Sequence, residues 1–182
     1  MNTSVIVLAA GRSARMGELK QLLPWRGQTI LECSLAPYLE VGLPVVVVLG
    51  YEYHRIAPRL EALPVQILVH SEWSRGMGSS LAAGVKTLAP EVERLLVGLG
   101  DMPEIGPGLV QAMLAVNAPN ACPVYQGRRG HPVLFERSFF AELARLDGDR
   151  GARHLMNEAT LVEWPTPECL RDIDTPADYS SP

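Results

Sequence analysis

A chain of 182 residues is the size of one domain and long enough to bury a core between two helical layers. Its 16 Lys+Arg against 20 Asp+Glu leave a formal charge of −4, which excludes a broad nucleic-acid face and requires any binding cations to be concentrated locally. The 3 cysteines, Cys33, Cys122 and Cys169, are far apart and lack Cys-x-x-Cys spacing, so neither a disulfide framework nor a zinc knuckle is expected. The N-terminal apolar run is interrupted too soon by Arg12 and Arg15 for a signal peptide, and no later stretch is long enough to span a bilayer. A soluble, cytoplasmic, single-domain protein without nucleic-acid or membrane partners is the expectation.

In chain order, residues 5–8 form an apolar run too short for a buried helix and suited to a strand covered on both faces. A polar loop then runs to Lys20. Ile30, Leu31, Leu35 and Leu39 fall at helical spacing and predict a helix over 30–41 that Gly42 stops, with Pro37 as a point of kinking or splitting. The continuous run 45–49 has the pattern of a strand inside a parallel sheet, a short helix to Leu63 follows, and 65–69 is a third strand. The segment 76–80 leads into a helix over 81–88, 95–99 is the fourth strand, and 106–116 is a further helix. Val124 and residues 133–135 mark two later strands around a turn at 127–130. This alternation predicts a Rossmann-like α/β fold, three α/β/α layers around a mostly parallel central sheet. Ligands of such sheets bind beyond the carboxyl ends of the strands, which puts the loops 11–20 and 76–80 and Asp101 on one edge.

The residues on that edge have a common chemistry. Ala9, Ala10 and Gly11 carry almost no side chain, so a ligand can reach the main chain and its N–H groups can point at an anion. Arg12, Arg15 and Lys20 add positive charge within the same loop, which is what a polyphosphate requires, although an ordinary solvated turn has the same composition. Two better-known loops are absent. Glu18 and Leu19 separate Gly17 from Lys20 and break the P-loop pattern, and Ser13 and Met16 stand where a dinucleotide fingerprint needs glycine. Asp101, in Gly100-Asp-Met-Pro103, leaves a buried strand with a carboxylate at its tip, able either to hold Mg²⁺ or to start a turn with Pro103. In Asp172-Ile-Asp174 the alternate carboxylates share one side if the segment is extended, while Thr175, Pro176 and Asp178 read as the cap of a short terminal helix. The segment 76–80 suits a backbone clamp at a helix N-terminus or an ordinary cap by Ser79. His131 precedes proline and is held extended; like Asp149, Gly151 and Arg153, it can contact a ligand or serve the local backbone. His54, His70 and His154 show no metal-ligand spacing.

The pattern Leu8-Ala-Ala-Gly-Arg-Ser-x-Arg-Met-Gly-x-x-Lys20, followed by Leu22-Leu23-Pro24, resembles the opening signature of the nucleotidyltransferases that attach CMP or GMP to molybdopterin cofactors. Gly100-Asp-Met-Pro103, Gly130-His-Pro-Val-Leu-Phe135, Gly148-Asp-x-Gly-Ala-Arg153 and Asp172-Ile-Asp-Thr-Pro-x-Asp178 follow in that family's order, so the resemblance spans nearly the whole chain. It implies a nucleotide-diphospho-sugar transferase-like fold and Mg²⁺-dependent transfer of CMP from CTP to molybdopterin (molybdenum) cofactor, with a molybdoenzyme as client. Arg15, Lys20 and Asp101 would then be catalytic, and Asp101 and Asp174 would hold the metal, with Asp172 structural. Leu8, Ala9, Ala10, Gly11, Arg12, Lys20, Gly76, Met77, Ser79 and Ser80 would bind nucleotide, and Gly130, His131, Asp149 and Arg153 the second substrate. Ala10 stands where the guanylyl-transferring relatives have glycine, which points to cytosine. No general base is demanded, since a phosphate monoester with a second pKa of about 6 is already ionised. Transfer to another phosphorylated small molecule would keep the loop and Asp101. Non-catalytic carriage of the cofactor has no need of Lys20 and Asp101, and a redox enzyme would be expected to show a nicotinamide or flavin fingerprint.

Overall fold

In the computed structural model, which describes residues 1–179, the apolar runs become the middle of one eight-stranded sheet. Its strands are β1 (Thr3–Ala9), β4 (Val45–Leu49), β5 (Val65–Val69), β6 (Arg94–Leu99), β7 (Asn120–Tyr125), β8 (Arg128–Arg129), β9 (Val133–Glu136) and β10 (Thr160–Glu163), while β2 (Pro24–Trp25) and β3 (Gln28–Thr29) form a separate small hairpin. The order across the sheet is β10-β7-β9-β6-β1-β4-β5, with β8 beside β7. β1 pairs in parallel with β4 and β6, aligning Val5 with Val45 and Leu96, whereas β9 runs antiparallel to both its neighbours. The sheet is therefore mostly parallel, as expected.

Because strand side chains alternate, β1 feeds two cores. Val5, Val7 and Ala9 meet helices α1 (Ile30–Glu40), α2 (Tyr53–Leu60) and α4 (Pro107–Ala115) on one face. Ile6 on the other face meets α3 (Met77–Val85) and α5 (Phe140–Leu143). Pro37 does not split α1. The helix opens with a capping box between Thr29 and Glu32 and buries Leu31, Leu35 and Tyr38. At roughly 1.5–3 kcal/mol for each buried side chain, that packing outweighs the cost of about 3 kcal/mol for an interior proline. Among the described residues no helix is long and apolar enough to cross a membrane.

Some boundaries differ from those read in the sequence. The helix expected over 81–88 begins at Met77, so residues 77–80 are its first turn and not a loop before it. Gly76 is its N-cap at φ 112°, and Ser79, for which an ordinary cap was one of two readings, donates its hydroxyl back to the Gly76 carbonyl at 2.8 Å. The turn expected at 127–130 lies at Gln126 and Gly127, both at positive φ, and makes the β7–β8 hairpin. Gly130 belongs to the break between β8 and β9, where the chain passes so near Cys169 that a Cβ would sit 2.1 Å from its carbonyl oxygen. The edge strand β10, parallel to β7, is additional, as is the β2–β3 hairpin. The cap read at Thr175 and Asp178 is present at the start of α6 (Pro176–Tyr179), with the Asp178 carboxylate accepting from the Thr175 amide at 2.7 Å.

Candidate active site

The loop after β1 is held by its own carbonyls. Buried Gln21 donates its side-chain amide to the carbonyls of Ala9 at 3.3 Å and Gly11 at 3.0 Å, and the Tyr51 amide donates to Ala10 at 3.0 Å. Three consecutive carbonyls are thereby tied back into the protein. The amides of Gly11, Arg12 and Ser13 have no hydrogen-bond partner among the described residues and are left for a ligand. The loop then turns at Ser13, whose φ is 55° and whose carbonyl accepts from Met16 and Gly17. Met16 anchors it by packing with Trp25, Ile30 and Ile173.

Lys20 ends the loop in a charged cluster. Its ammonium lies 2.6 Å from Asp101 Oδ2 at the end of β6 and 2.6 Å from Asp174 Oδ1 in the C-terminal segment. Arg15 takes the other oxygen of Asp174, also at 2.6 Å. Burial disfavours the charged lysine, but the two carboxylates outweigh it and hold the Lys20 pKa above its ordinary value. Asp101 Oδ1 is buried without a partner. Asp172, expected to be structural, faces the same space; burial and the charges of Asp101 and Asp174 push its carboxyl up.

These groups line a cavity of 450 Å³ beyond the carboxyl ends of β1 and β6. Leu8, Ala9, Ala10, Gly11, Arg12, Arg15, Lys20, Gly76, Met77, Ser80, Asp101, Asp149 and Asp174 all border it. Its basic residues, Arg12, Arg15 and Lys20, are outnumbered by Asp101, Asp149, Asp172 and Asp174, so a polyphosphate entering it needs additional positive charge. The orphaned oxygen of Asp101 fits a divalent cation. Among the described residues no three His, Cys, Asp or Glu side chains form a ready cage, but Mg²⁺ commonly takes only one or two carboxylates and completes its shell with phosphate and water.

Four expected contacts lie elsewhere. Ser79 is turned inward, 3.1 Å from His70 Nε2, and does not border the cavity. Gly130 and His131 do not border it, the His131 amide donating to the Cys169 carbonyl and its Nδ1 lying 3.4 Å from the Val97 carbonyl. Arg153 is exposed on a 3₁₀ turn outside the cavity. Asp149, by contrast, sits at the mouth of α3, held there by the Gly78 amide bonding the Gly148 carbonyl at 2.8 Å and by an Arg75–Asp147 pair at 2.7 Å. The cavity also includes Ser13, Gln21, Trp73 and Ser74, which sequence reading had passed over. Only the Trp73 signal was available there, as an aromatic residue just ahead of the Gly76 turn.

The chain is 29% identical over 178 residues to the molybdenum cofactor cytidylyltransferase of Escherichia coli (strain K12), covering 96% of this chain and 92% of that one. It is 32% identical over 186 residues to nicotine blue oxidoreductase of Paenarthrobacter nicotinovorans, covering 93% and 91%. The crystal structure of Rv0371c from Mycobacterium tuberculosis H37Rv superposes with a TM-score of 0.88 at 30% identity, covering 99% and 96%, and that protein has also been solved in complex with manganese, with a TM-score of 0.84 at 28% identity over 99% and 97%. The MobA-like NTP transferase domain model matches residues 5–163, and the chain belongs to that nucleotidyltransferase family.

Proposed function

We propose that the chain transfers CMP from CTP to the phosphate of molybdopterin cofactor, with Mg²⁺ and with release of pyrophosphate. The observation that carries this reading is the Lys20, Asp101 and Asp174 cluster set beside a loop of unpartnered amides in one cavity. An acceptor phosphate oxygen attacks the α-phosphorus, and the bond to the β-phosphate oxygen breaks. Because the acceptor is already anionic, the protein's task is to relieve repulsion between anions. Arg12, Arg15 and Lys20 hold the triphosphate and the departing pyrophosphate, the Gly11–Ser13 amides (residues 11–13) bind phosphate oxygens, and Asp101 with Asp174 would hold the ion. A bound Mg²⁺ supplies charge neutralisation and orientation of the phosphates.

The choice of base rests on Ala10, which is buried at the cavity wall. Its methyl fills space that a purine would need, and a misfit of that size costs about 1–3 kcal/mol, or roughly 10-fold to 200-fold. Incubation with each nucleoside triphosphate, Mg²⁺ and molybdopterin cofactor tests base, metal and acceptor together. Pyrophosphate is expected with CTP and acceptor, less with GTP, and little after chelation; Ala10→Gly narrows the difference between bases. Equal use of CTP and GTP removes the base assignment alone. The relative named for nicotine blue makes a redox activity the second reading. Absence of pyrophosphate with every triphosphate would remove the CMP-transfer reading and leave that one.

A further inference from the structure

We propose that Lys20 is the stand-in for the metal ion in the substrate-free protein, its ammonium occupying the position between Asp101 and Asp174 until a polyphosphate draws it away. The divalent cation then enters with the nucleotide or after it, and not before. This inference rests on the metal-dependent reading above and concerns the order in which that site is filled.

Geometry puts the two cations in competition. Asp101 Oδ2 and Asp174 Oδ1 are each 2.6 Å from Nζ, so they lie no further apart than twice that distance. Two oxygens on one Mg²⁺, whose bonds are about 2.1 Å long, lie about 3–4.2 Å apart, inside that limit. An ion and an ammonium cannot share that gap. The two guards differ in strength. Arg15 is 72% exposed and its pair with Asp174 is screened by water, whereas the Lys20 side chain is 12% exposed and its pairs are shielded. Lys20 is therefore the charge that decides entry. It is nevertheless an incomplete match, because Asp101 Oδ1 stays buried and unpartnered beside it. A site made for an ammonium alone would not leave that acceptor idle at a cost of a buried hydrogen bond. Four rotatable methylenes let Nζ swing to a phosphate oxygen as the same triphosphate brings charge for the ion to bind. In this scheme one residue serves as counter-ion before binding and as phosphate ligand after it.

The test is Mn²⁺ binding to the nucleotide-free protein, read from the fall in free-ion electron paramagnetic resonance signal, for the wild type, Lys20→Met and Lys20→Arg. Loss of the resident charge is expected to tighten Mn²⁺ binding at least ~10-fold in Lys20→Met, while Lys20→Arg, which keeps the charge, stays near the wild type. If Lys20→Met lacks a cooperative melting transition, Lys20→Gln takes its place with the same expectation. Equal Mn²⁺ affinity in the wild type and the neutral variant overturns the stand-in role and leaves the metal-dependent reaction standing. Failure of every variant to bind Mn²⁺, even with CTP present, overturns both.

Discussion

Gln21 bears no charge and touches no bond that changes, yet it decides which side of the loop a ligand meets. Its amide holds the Ala9 and Gly11 carbonyls, its own oxygen accepts from the Ser13 hydroxyl at 3.3 Å, and only 2% of the residue is exposed. Gln21→Leu fills similar space but leaves those acceptors unmatched, so a stability loss of about 1–3 kcal/mol is expected, with CTP affinity falling roughly 10-fold as the loop relaxes. Calorimetric titration with CTP and urea unfolding measure the two effects; unchanged affinity would show that the loop keeps its shape without Gln21. Asp101→Asn makes the opposite pattern. It removes a carboxylate whose second oxygen is already unpartnered, so the fold should survive while Mg²⁺-dependent pyrophosphate release drops by ~10² or more. Near-normal release by a folded variant would take Asp101 out of the site. The two residues also mark the limit of residue-level reading. Arg12, Lys20 and Asp101 were legible because their side-chain chemistry is informative at a loop or strand end. Gln21 and Asp172 were not, since the role of one lies in contacts to a backbone ten or more positions away and the other's in its nearness to Asp101.

The elements follow the same division. β1, β4 and β6 were legible because strands covered on both faces are written as apolar runs, while β5, an edge strand with Gln66 exposed, was read from its remaining Val, Ile and Leu. β10, Thr-Leu-Val-Glu, is an edge strand with three exposed residues and carries no such run. The start of α3 was hidden because Gly76 caps it without a side-chain bond, leaving no capping residue to read. α1 shows the reverse: Thr29 and Glu32 spell a capping box, with Glu32 accepting from the Thr29 amide at 2.7 Å and Thr29 accepting from the Glu32 amide at 3.2 Å. Thr29→Ala should cost about 1 kcal/mol of unfolding free energy with an unchanged urea slope, and Thr29→Ser should restore most of it. No difference between the alanine and serine variants would mean that packing of α1, not its cap, sets the helix start. A second terminus is held from the sheet. Buried Arg94 at the start of β6 donates to the carbonyls of Leu114 at 2.9 Å and Val116 at 2.7 Å, closing the carboxyl end of α4, a contact between elements that no local pattern announces.

At the scale of the whole molecule, the parallel half of the sheet supplies the cavity edge, while the reversed strand β9 lies on the far side of β6 and contributes none of the described lining residues. The sequence showed the strands but not the reversal, because strand direction depends on how the chain returns through Gly130 and His131. That return sets a half-buried imidazole against the Val97 carbonyl. Burial holds the His131 pKa below 6.5, although the Val97 carbonyl and the charges of Asp101 and Asp172 partly oppose this. The consequence for stability has a definite sign. Well above pH 6.5 the ring is neutral in both folded and unfolded chains, and its contribution is constant. As the pH falls below 6.5, the unfolded chain takes up the proton before the folded one does, so stability declines until the folded-state pKa is passed. The slope is bounded at about 1.4 kcal/mol per pH unit. Asp172, whose carboxyl is raised from 3.8 by burial and by Asp101, acts in the other direction, since a raised acid loses stability as the pH rises. It and the other histidines are present in both proteins when the wild type is compared with His131→Asn. Subtracting the two urea-unfolding profiles between pH 8 and 5 should therefore give a difference that levels off well above 6.5 and moves increasingly against the wild type as the pH falls through 6.5. Parallel profiles across that range would mean that His131 takes up its proton in the folded protein as readily as in the unfolded chain.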